Sequence, residues 1–333
     1  MLFVTNRKIN EGGTPETSSL PRRITFDVQG EDRGNVGVDI YFCERLSNQD
    51  YLEIGSEAFF NKLQNDPNLH MMTMIHGFNV APDDALDNHY EFQNLCDSTG
   101  GNISIISVVW PSWAGTAWYY DDQRQADMSA IGLSKVWTKL LRWTESNTFS
   151  KHLHNFAHSM GNRVHRESLS GAAKYEGLSL PSYMFTNSFM VAADVPNESL
   201  EPHHEGFIVA KTSSKVIVYY AEDDNTLEAS NLANTATGKT INRSWWRGGD
   251  YIDGRRLGES GPETFSKCPD HVYKIDCDRV NEGRYDDGGS WFDLGHSYYL
   301  KDDNGHPSLV FQHITKSIRE GKPEADANRS HRL

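Results

Sequence analysis

The residues with the most chemical promise lie in the segment Asn155-Phe156-Ala157-His158-Ser159-Met160-Gly161-Asn162-Arg163. An apolar run, His152–Ala157, precedes it and reads as a strand, and Met160–Ala173 reads as a helix. A serine between strand and helix is held in a tight, strained turn that pushes its Oγ above the carboxyl edge of a sheet. Strand and helix backbones pass close together there, so the residues two before and two after the serine must be small. Gly161 meets that need, and Ala157 stands where a glycine is usual, a methyl being the smallest step up from hydrogen. The free N–H groups and positive dipole end of the helix lie beside the reacting centre, which makes the Met160 N–H a candidate donor to an oxyanion.

Alone, a pentapeptide of this kind is short enough to arise by chance, but three further features support it. The first is His76-Gly77-Phe78-Asn79, which closes the apolar run Met71–Ile75. A loop in that place supplies a second oxyanion donor, and the Phe78 N–H is the candidate, because Gly77 lets the backbone turn inward. The second is a set of carboxylates after late strands. Lys215–Tyr220 runs into Ala221-Glu222-Asp223-Asp224-Asn225, and Asp194 follows the preceding strand. Asp223, Asp224 or Asp194 is expected to orient a catalytic imidazole. The third is Gly295-His296-Ser297-Tyr298-Tyr299. Of the histidines downstream of those acids, His271, His296, His306 and His313, the last falls within a helix and His306 precedes Pro307. His296 is in a loop just before a helix, between glycine and aromatics, and is the expected base. The order Ser, Asp, His along the chain fits.

The elements that must position these groups alternate. Ile24–Val28 and Val36–Phe42 mix β-branched and aromatic residues in alternation and predict an antiparallel hairpin at a sheet edge. Met71–Ile75, Ile103–Trp110, His152–Ala157, Tyr183–Val191 and Lys215–Tyr220 read as strands. Helices are expected over Ala81–Cys96, Asp121–Ser146, Met160–Ala173 and Pro307–Glu320, the second with Ile131, Leu133, Val136, Leu140 and Leu141 on one face. Apolar strands alternating with helices imply a mostly parallel central sheet covered on both faces. One domain over residues 1–333 is expected, with 225–295, rich in Gly, Asp, Asn and Arg, as an excursion or lid. Trp110, Trp113, Trp118, Tyr119 and Tyr120 follow a strand end on the site's edge of the sheet and are candidates to wall an acyl pocket, with Trp245, Trp246 and Trp291 in the lid.

Bulk properties narrow the partners. A formal charge of -14 over 333 residues repels phosphate backbones and anionic membrane surfaces, which argues against nucleic acid. A 37% hydrophobic and 23% charged composition can form a packed core. No stretch approaches the roughly 20 apolar residues of a membrane helix, and the start, Met1-Leu2-Phe3-Val4-Thr5-Asn6-Arg7, has no apolar run of signal length. A cytoplasmic protein is expected. Cys43, Cys96, Cys268 and Cys277 form no CxxC pair and read as free thiols, with a bond between Cys268 and Cys277 left open.

Taken together, these residues resemble a bacterial family of α/β hydrolases described as esterase/lipase-like and of unknown function. The resemblance is carried by Val4-Thr5-Asn6-Arg7, His76-Gly77-Phe78-Asn79 and Trp110-Pro111-Ser112 with Tyr119-Tyr120-Asp121. It continues through Ala157–Arg163, Tyr220–Leu227 and Gly295-His296-Ser297-Tyr298, and so spans most of the chain in order. It implies an α/β-hydrolase fold and a Ser159–Asp224–His296 triad. Asp224 is preferred to Asp223 because the family places its acid three residues before a leucine, here Leu227. The long polar insertion between Leu227 and His296 departs from the family.

The expected chemistry is hydrolysis of a small acyl ester through an acyl-enzyme on Ser159, with no metal or organic cofactor. A thioesterase, lipase or amidase would use the same triad, and an inactive binding protein on this fold is the rival from another class. With a histidine as base, activity is expected to fall on acidification through roughly pH 6–7.

Overall fold

The structure, a computed structural model, describes residues 1–11, 20–26, 36–112, 119–175, 177–224, 226–227, 255–280 and 295–333. The chain divides into two compact units, Met1–Thr186 and Asn187–Leu333.

In the first unit the strands are β1 (Leu2–Arg7), β2 (Ile9–Glu11), β3 (Arg22–Phe26), β4 (Val36–Ser47), β5 (Asp50–Glu53), β6 (His70–Ile75), β7 (Ile103–Val109) and β8 (His152–His158). They lie in the order β8-β6-β7-β1-β4-β5-β3-β2. β8, β6, β7 and β1 are parallel to their neighbours, whereas the β1–β4, β4–β5, β5–β3 and β3–β2 pairs are antiparallel. The helices are α1 (Ser56–Asn65), α2 (Pro82–Ser98), α3 (Tyr119–Ser146) and α4 (Gly161–Tyr175).

Strand residues alternate between the two faces, and the sequence covers both. Phe3 and Val109 pack with Ala85 and Leu86 of α2. Their neighbours Val4 and Val108 share the opposite side with Phe59 of α1 and with Leu133 and Val136 of α3. These strands therefore read as continuous apolar runs, as strands buried on both faces must.

Three expectations are corrected here. The segments at Ile24 and Val36 do not pair with each other. β4 turns tightly through Asn48 and Gln49 into β5, which lies between β4 and β3 and buries Tyr51 against Phe3 and Phe26. On α3, Leu133, Val136 and Leu140 are buried, but Ile131 is 56% exposed and Trp137 takes the inward place. The strand expected from Tyr183 begins only at Asn187, Tyr183 being an exposed turn residue at φ 65°.

Among the described residues the second unit holds four parallel strands in the order β12-β11-β10-β9, namely β9 (Asn187–Val191), β10 (Val216–Tyr220), β11 (Val272–Asp276) and β12 (Ser330–Arg332). Its described α-helices are α5 (Phe207–Thr212), α6 (Leu257–Ser260) and α7 (Leu309–Glu320). The stretch expected to be an irregular excursion thus contains α6 and β11, whose mixed sequence Val-Tyr-Lys-Ile-Asp hides a strand. α7 is held by a Ser308 cap, whose Oγ accepts the Phe311 N–H, and ends at Gly321 at φ 70°. All four cysteines are buried free thiols, so Cys268 and Cys277 are not bonded. Among the described residues no helix is long and apolar enough to cross a membrane.

Candidate active site

β8 ends at His158, and the chain reverses into α4 through Ser159, whose φ is 52°. A non-glycine residue in the left-handed region stores roughly 1–3 kcal/mol of strain, which the surroundings must hold in place. Here they do so from both sides. The Asn162 side-chain amide donates to the Ala157 carbonyl at 2.8 Å and to the Ser159 carbonyl at 3.1 Å. Gly161 lies against β6, where an added Cβ would sit 2.5 Å from the Ile75 carbonyl oxygen and 2.6 Å from that of His76. Arg163, one residue beyond Asn162, makes a two-pronged bond to Asp127 at 2.6 and 2.7 Å, tying the first turn of α4 to α3. Ala157 is fully buried, and its methyl is accommodated in the place where glycine is usual.

The loop after β6 borders the same turn. A Cβ on Gly77 would lie 3.1 Å from Ser159 Cβ and from His158 Nδ1, so glycine is what allows this approach. Among the described residues neither the Phe78 N–H nor the Met160 N–H has a hydrogen-bond acceptor, and Met160 is fully buried. Phe78 is half-buried, and a fully buried N–H without a partner, as at Met160, is rare in folded proteins. His76 locks the loop. Its Nδ1–H donates to the Gly77 carbonyl at 2.9 Å, and its Nε2 accepts the Trp110 backbone N–H at 3.2 Å, an arrangement that needs the neutral ring. Burial, with His89 nearby, pushes the His76 imidazole down to about 3 and keeps it neutral. In a trans peptide the carbonyl and N–H point opposite ways, so fixing the Gly77 oxygen fixes the direction of the Phe78 N–H.

Trp110 belongs to this lock. It is fully buried, its ring stacks on His76 at 5.3 Å, and its Nε1–H donates to the His76 carbonyl at 2.8 Å. Tyr119 is half-buried and meets the Phe78 ring edge-on at 5.7 Å. Trp113, Trp118, Trp245, Trp246, Trp291 and the Tyr120 side chain lie outside the described residues.

A buried polar group missed by sequence reasoning completes the loop's surroundings. Asp122 Oδ2 accepts the Asn79 N–H at 2.9 Å and the Ser112 hydroxyl at 3.0 Å. Arg7 donates through Nη1 to the carbonyls of Trp110 and Ser112, at 3.1 and 2.8 Å. Burial lowers the Arg7 guanidinium to about 10 against the pull of Asp122, so it stays charged at neutral pH. Thr5 Oγ1 donates to the Val109 carbonyl and accepts the Arg7 N–H. The available signal was the run Val4-Thr5-Asn6-Arg7, whose polar residues lie in a strand that is otherwise core.

In the second unit the three candidate acids separate. Asp224 is buried. Its Oδ2 faces His296 Nδ1 at 2.7 Å, and its Oδ1 accepts the Leu227 N–H at 3.0 Å. That second bond gives the Asp-x-x-Leu spacing a physical reason. Asp194 is engaged elsewhere, 3.1 Å from Arg256 Nε. The strap around Arg256 is pinned by bonds from Leu257 N to Val195 O and from Gly258 N to Ala193 O, and a Cβ on Gly258 would collide with the Ala193 nitrogen. Asp223 is exposed. Of the other late histidines, His271 bonds the Ala210 carbonyl, His313 bonds Tyr219 OH and His306 is exposed. His296 is buried after Gly295, a turn residue at φ 75°, and Tyr298 anchors the loop from a fully buried position. A neutral His296 whose Nδ1–H is given to Asp224 carries its lone pair on Nε2.

Among the described residues no cluster of His, Cys, Asp and Glu is placed to hold a metal ion. No curated protein matches the chain. Among solved structures, the chain is similar to YbtT, a type II thioesterase from the yersiniabactin biosynthetic pathway, with 13% identity, a TM-score of 0.26, and coverage of 69% of this chain and 79% of that one. Residues 54–240 match the family model described as alpha/beta hydrolase of unknown function (DUF900), and the chain belongs to that family.

Proposed function

We propose that the protein is a serine hydrolase that cleaves carboxylic esters through an acyl-enzyme on Ser159. The observation that carries this reading is the left-handed Ser159 at the junction of β8 and α4, next to the Met160 N–H, which like the Phe78 N–H has no acceptor among the described residues. The buried Asp224–His296 pair supports it, being the orienting half of a triad.

In the proposed reaction His296 Nε2 takes the hydroxyl proton as Ser159 Oγ bonds to the acyl carbon. The carbonyl oxygen becomes an oxyanion held by the Phe78 and Met160 N–H groups. Each such donor contributes about 3 kcal/mol to lowering the barrier. The imidazolium, steadied by Asp224, returns the proton to the departing alcohol as the acyl–oxygen bond breaks. Water then attacks the acyl-enzyme by the same steps, giving the acid and free Ser159.

The test is a chain-length panel of p-nitrophenyl esters, with matching thioesters and anilides, run on the wild type and Ser159→Ala. Ester turnover lost in the variant supports the proposal. Full turnover by Ser159→Ala overturns it, and faster turnover of the thioesters or anilides reassigns the substrate class.

A further inference from the structure

We infer that Asp122 is a positioning residue for the oxyanion loop, holding the Phe78 N–H in its working direction through the Asn79 amide. The inference rests on the hydrolytic reading above and adds a residue to it.

Phe78 stands between two peptide units, and each is clamped. The Gly77–Phe78 unit is held at its carbonyl by His76 Nδ1. The Phe78–Asn79 unit is held at its N–H by Asp122 Oδ2, at 2.9 Å. With both planes fixed, the φ and ψ of Phe78 have no freedom left, and its N–H direction is set. The second clamp works against a cost. Asn79 has φ 53°, a left-handed conformation that a non-glycine residue keeps only when its surroundings insist. A carboxylate accepting the Asn79 N–H supplies that insistence, because charge-assisted bonds are about twice as strong as neutral ones.

Asp122 is itself held. It is fully buried in the first turn of α3 and receives the Ser112 hydroxyl at 3.0 Å, while Ser112 Oγ also accepts the Val80 N–H at 3.4 Å. Arg7 provides the balancing charge and is anchored on the carbonyls of Trp110 and Ser112. One carboxylate thus joins β1, the end of β7, α3 and the loop after β6. Oxyanion stabilisation depends on donors fixed before the reaction, and a loop free to reorient loses that advantage.

The experiment compares full-length wild type, Asp122→Asn and Ser112→Ala on a p-nitrophenyl ester. It measures kcat and KM, inhibition by a trifluoromethyl ketone that forms a tetrahedral adduct, and melting temperature. Asp122→Asn is expected to lower kcat by about ten- to a hundred-fold with KM within about two-fold, and to weaken the adduct-forming inhibitor by the same factor as kcat. Ser112→Ala keeps the carboxylate and is expected to lose several-fold in kcat, which keeps the inference testable if Asp122→Asn does not fold. Folded variants with wild-type kcat, or a loss confined to KM or to melting temperature, overturn the positioning role. An inert wild type overturns the hydrolytic reading and this inference with it, whereas an active wild type with unaffected variants overturns this inference alone.

Discussion

Gly161 is pressed against Ile75 so closely that a methyl group on it would lie 2.5 Å from the Ile75 carbonyl oxygen. That oxygen is part of the backbone of a central strand and cannot swing aside as a flexible side chain would. The contact sets how near the start of α4 approaches β6, and with it the left-handed turn at Ser159. Gly161→Ala is therefore expected to destabilise the first unit by about 1–3 kcal/mol, the usual cost of overpacking. It should also lower the rate of Ser159 acylation at temperatures where the protein remains folded. Urea unfolding and stopped-flow acylation check the two effects separately.

The three acids make different predictions. With Asp224 as the proposed orienting acid, Asp224→Asn removes the charge beside His296 and leaves the ring free to adopt the wrong tautomer, so kcat should fall by about four orders of magnitude. Asp223→Asn alters an exposed side chain and should leave kcat within about two-fold. Asp194→Asn breaks the buried pair with Arg256 and should appear in the melting temperature before it appears in kcat. Steady-state kinetics on the three variants ranks them.

Acid sensitivity follows from three buried imidazoles in the first unit. Burial lowers His76, His89 and His165 to about 3, below the ordinary histidine value near 6.5. Between those values the unfolded chain binds protons that the folded chain does not, so stability is full above about pH 6.5 and declines as pH falls towards 3. Each group contributes a slope of about 1.4 kcal/mol per pH unit, or about 4 kcal/mol per pH unit for the set. Urea midpoints between pH 4.5 and 7.5 should fall steeply on the acid side. Midpoints independent of pH would contradict the neutral burial of these rings.

Activity should lose its acid limb before the fold does. The proposed base works only as neutral imidazole, so kcat/KM should fall on acidification. His296→Ala should abolish that titration together with turnover. A pH–rate profile taken where urea midpoints show an intact fold separates the base from the structural histidines.

Much of this architecture was legible because burial writes itself into sequence. β6, β7 and β8 are apolar on both faces, and their helices carry one apolar stripe, so alternation and periodicity located them. β11 was not, since Tyr273 and Lys274 are only half-buried and interrupt the apolar run. β5 is four residues long, too short for alternation to stand out, and its position between β3 and β4 depends on a hairpin turn. The left-handed strand-to-helix turn at Ser159 was readable from its small neighbours. The choice among Asp194, Asp223 and Asp224 was not readable from the residues themselves, because identical side chains near strand ends differ only in their long-range partners. Trp110 read as a pocket wall because its bond to the His76 carbonyl leaves no trace in composition. Asp122 was overlooked for the opposite reason. Beside Asp121 and Gln123 it looks like an ordinary acidic helix start, yet its partners lie outside the helix, at Ser112 and, 43 residues back, at Asn79.

The central claim is that Ser159 is a nucleophile. The most direct measurement is intact-mass and peptide mapping after treatment with a fluorophosphonate. One phosphonyl adduct on the peptide containing Ser159, absent from Ser159→Ala and strongly slowed in His296→Ala, is the predicted result. A protein that stays unlabelled while folded, or one labelled elsewhere with Ser159→Ala turning over ester as fast as the wild type, would contradict it.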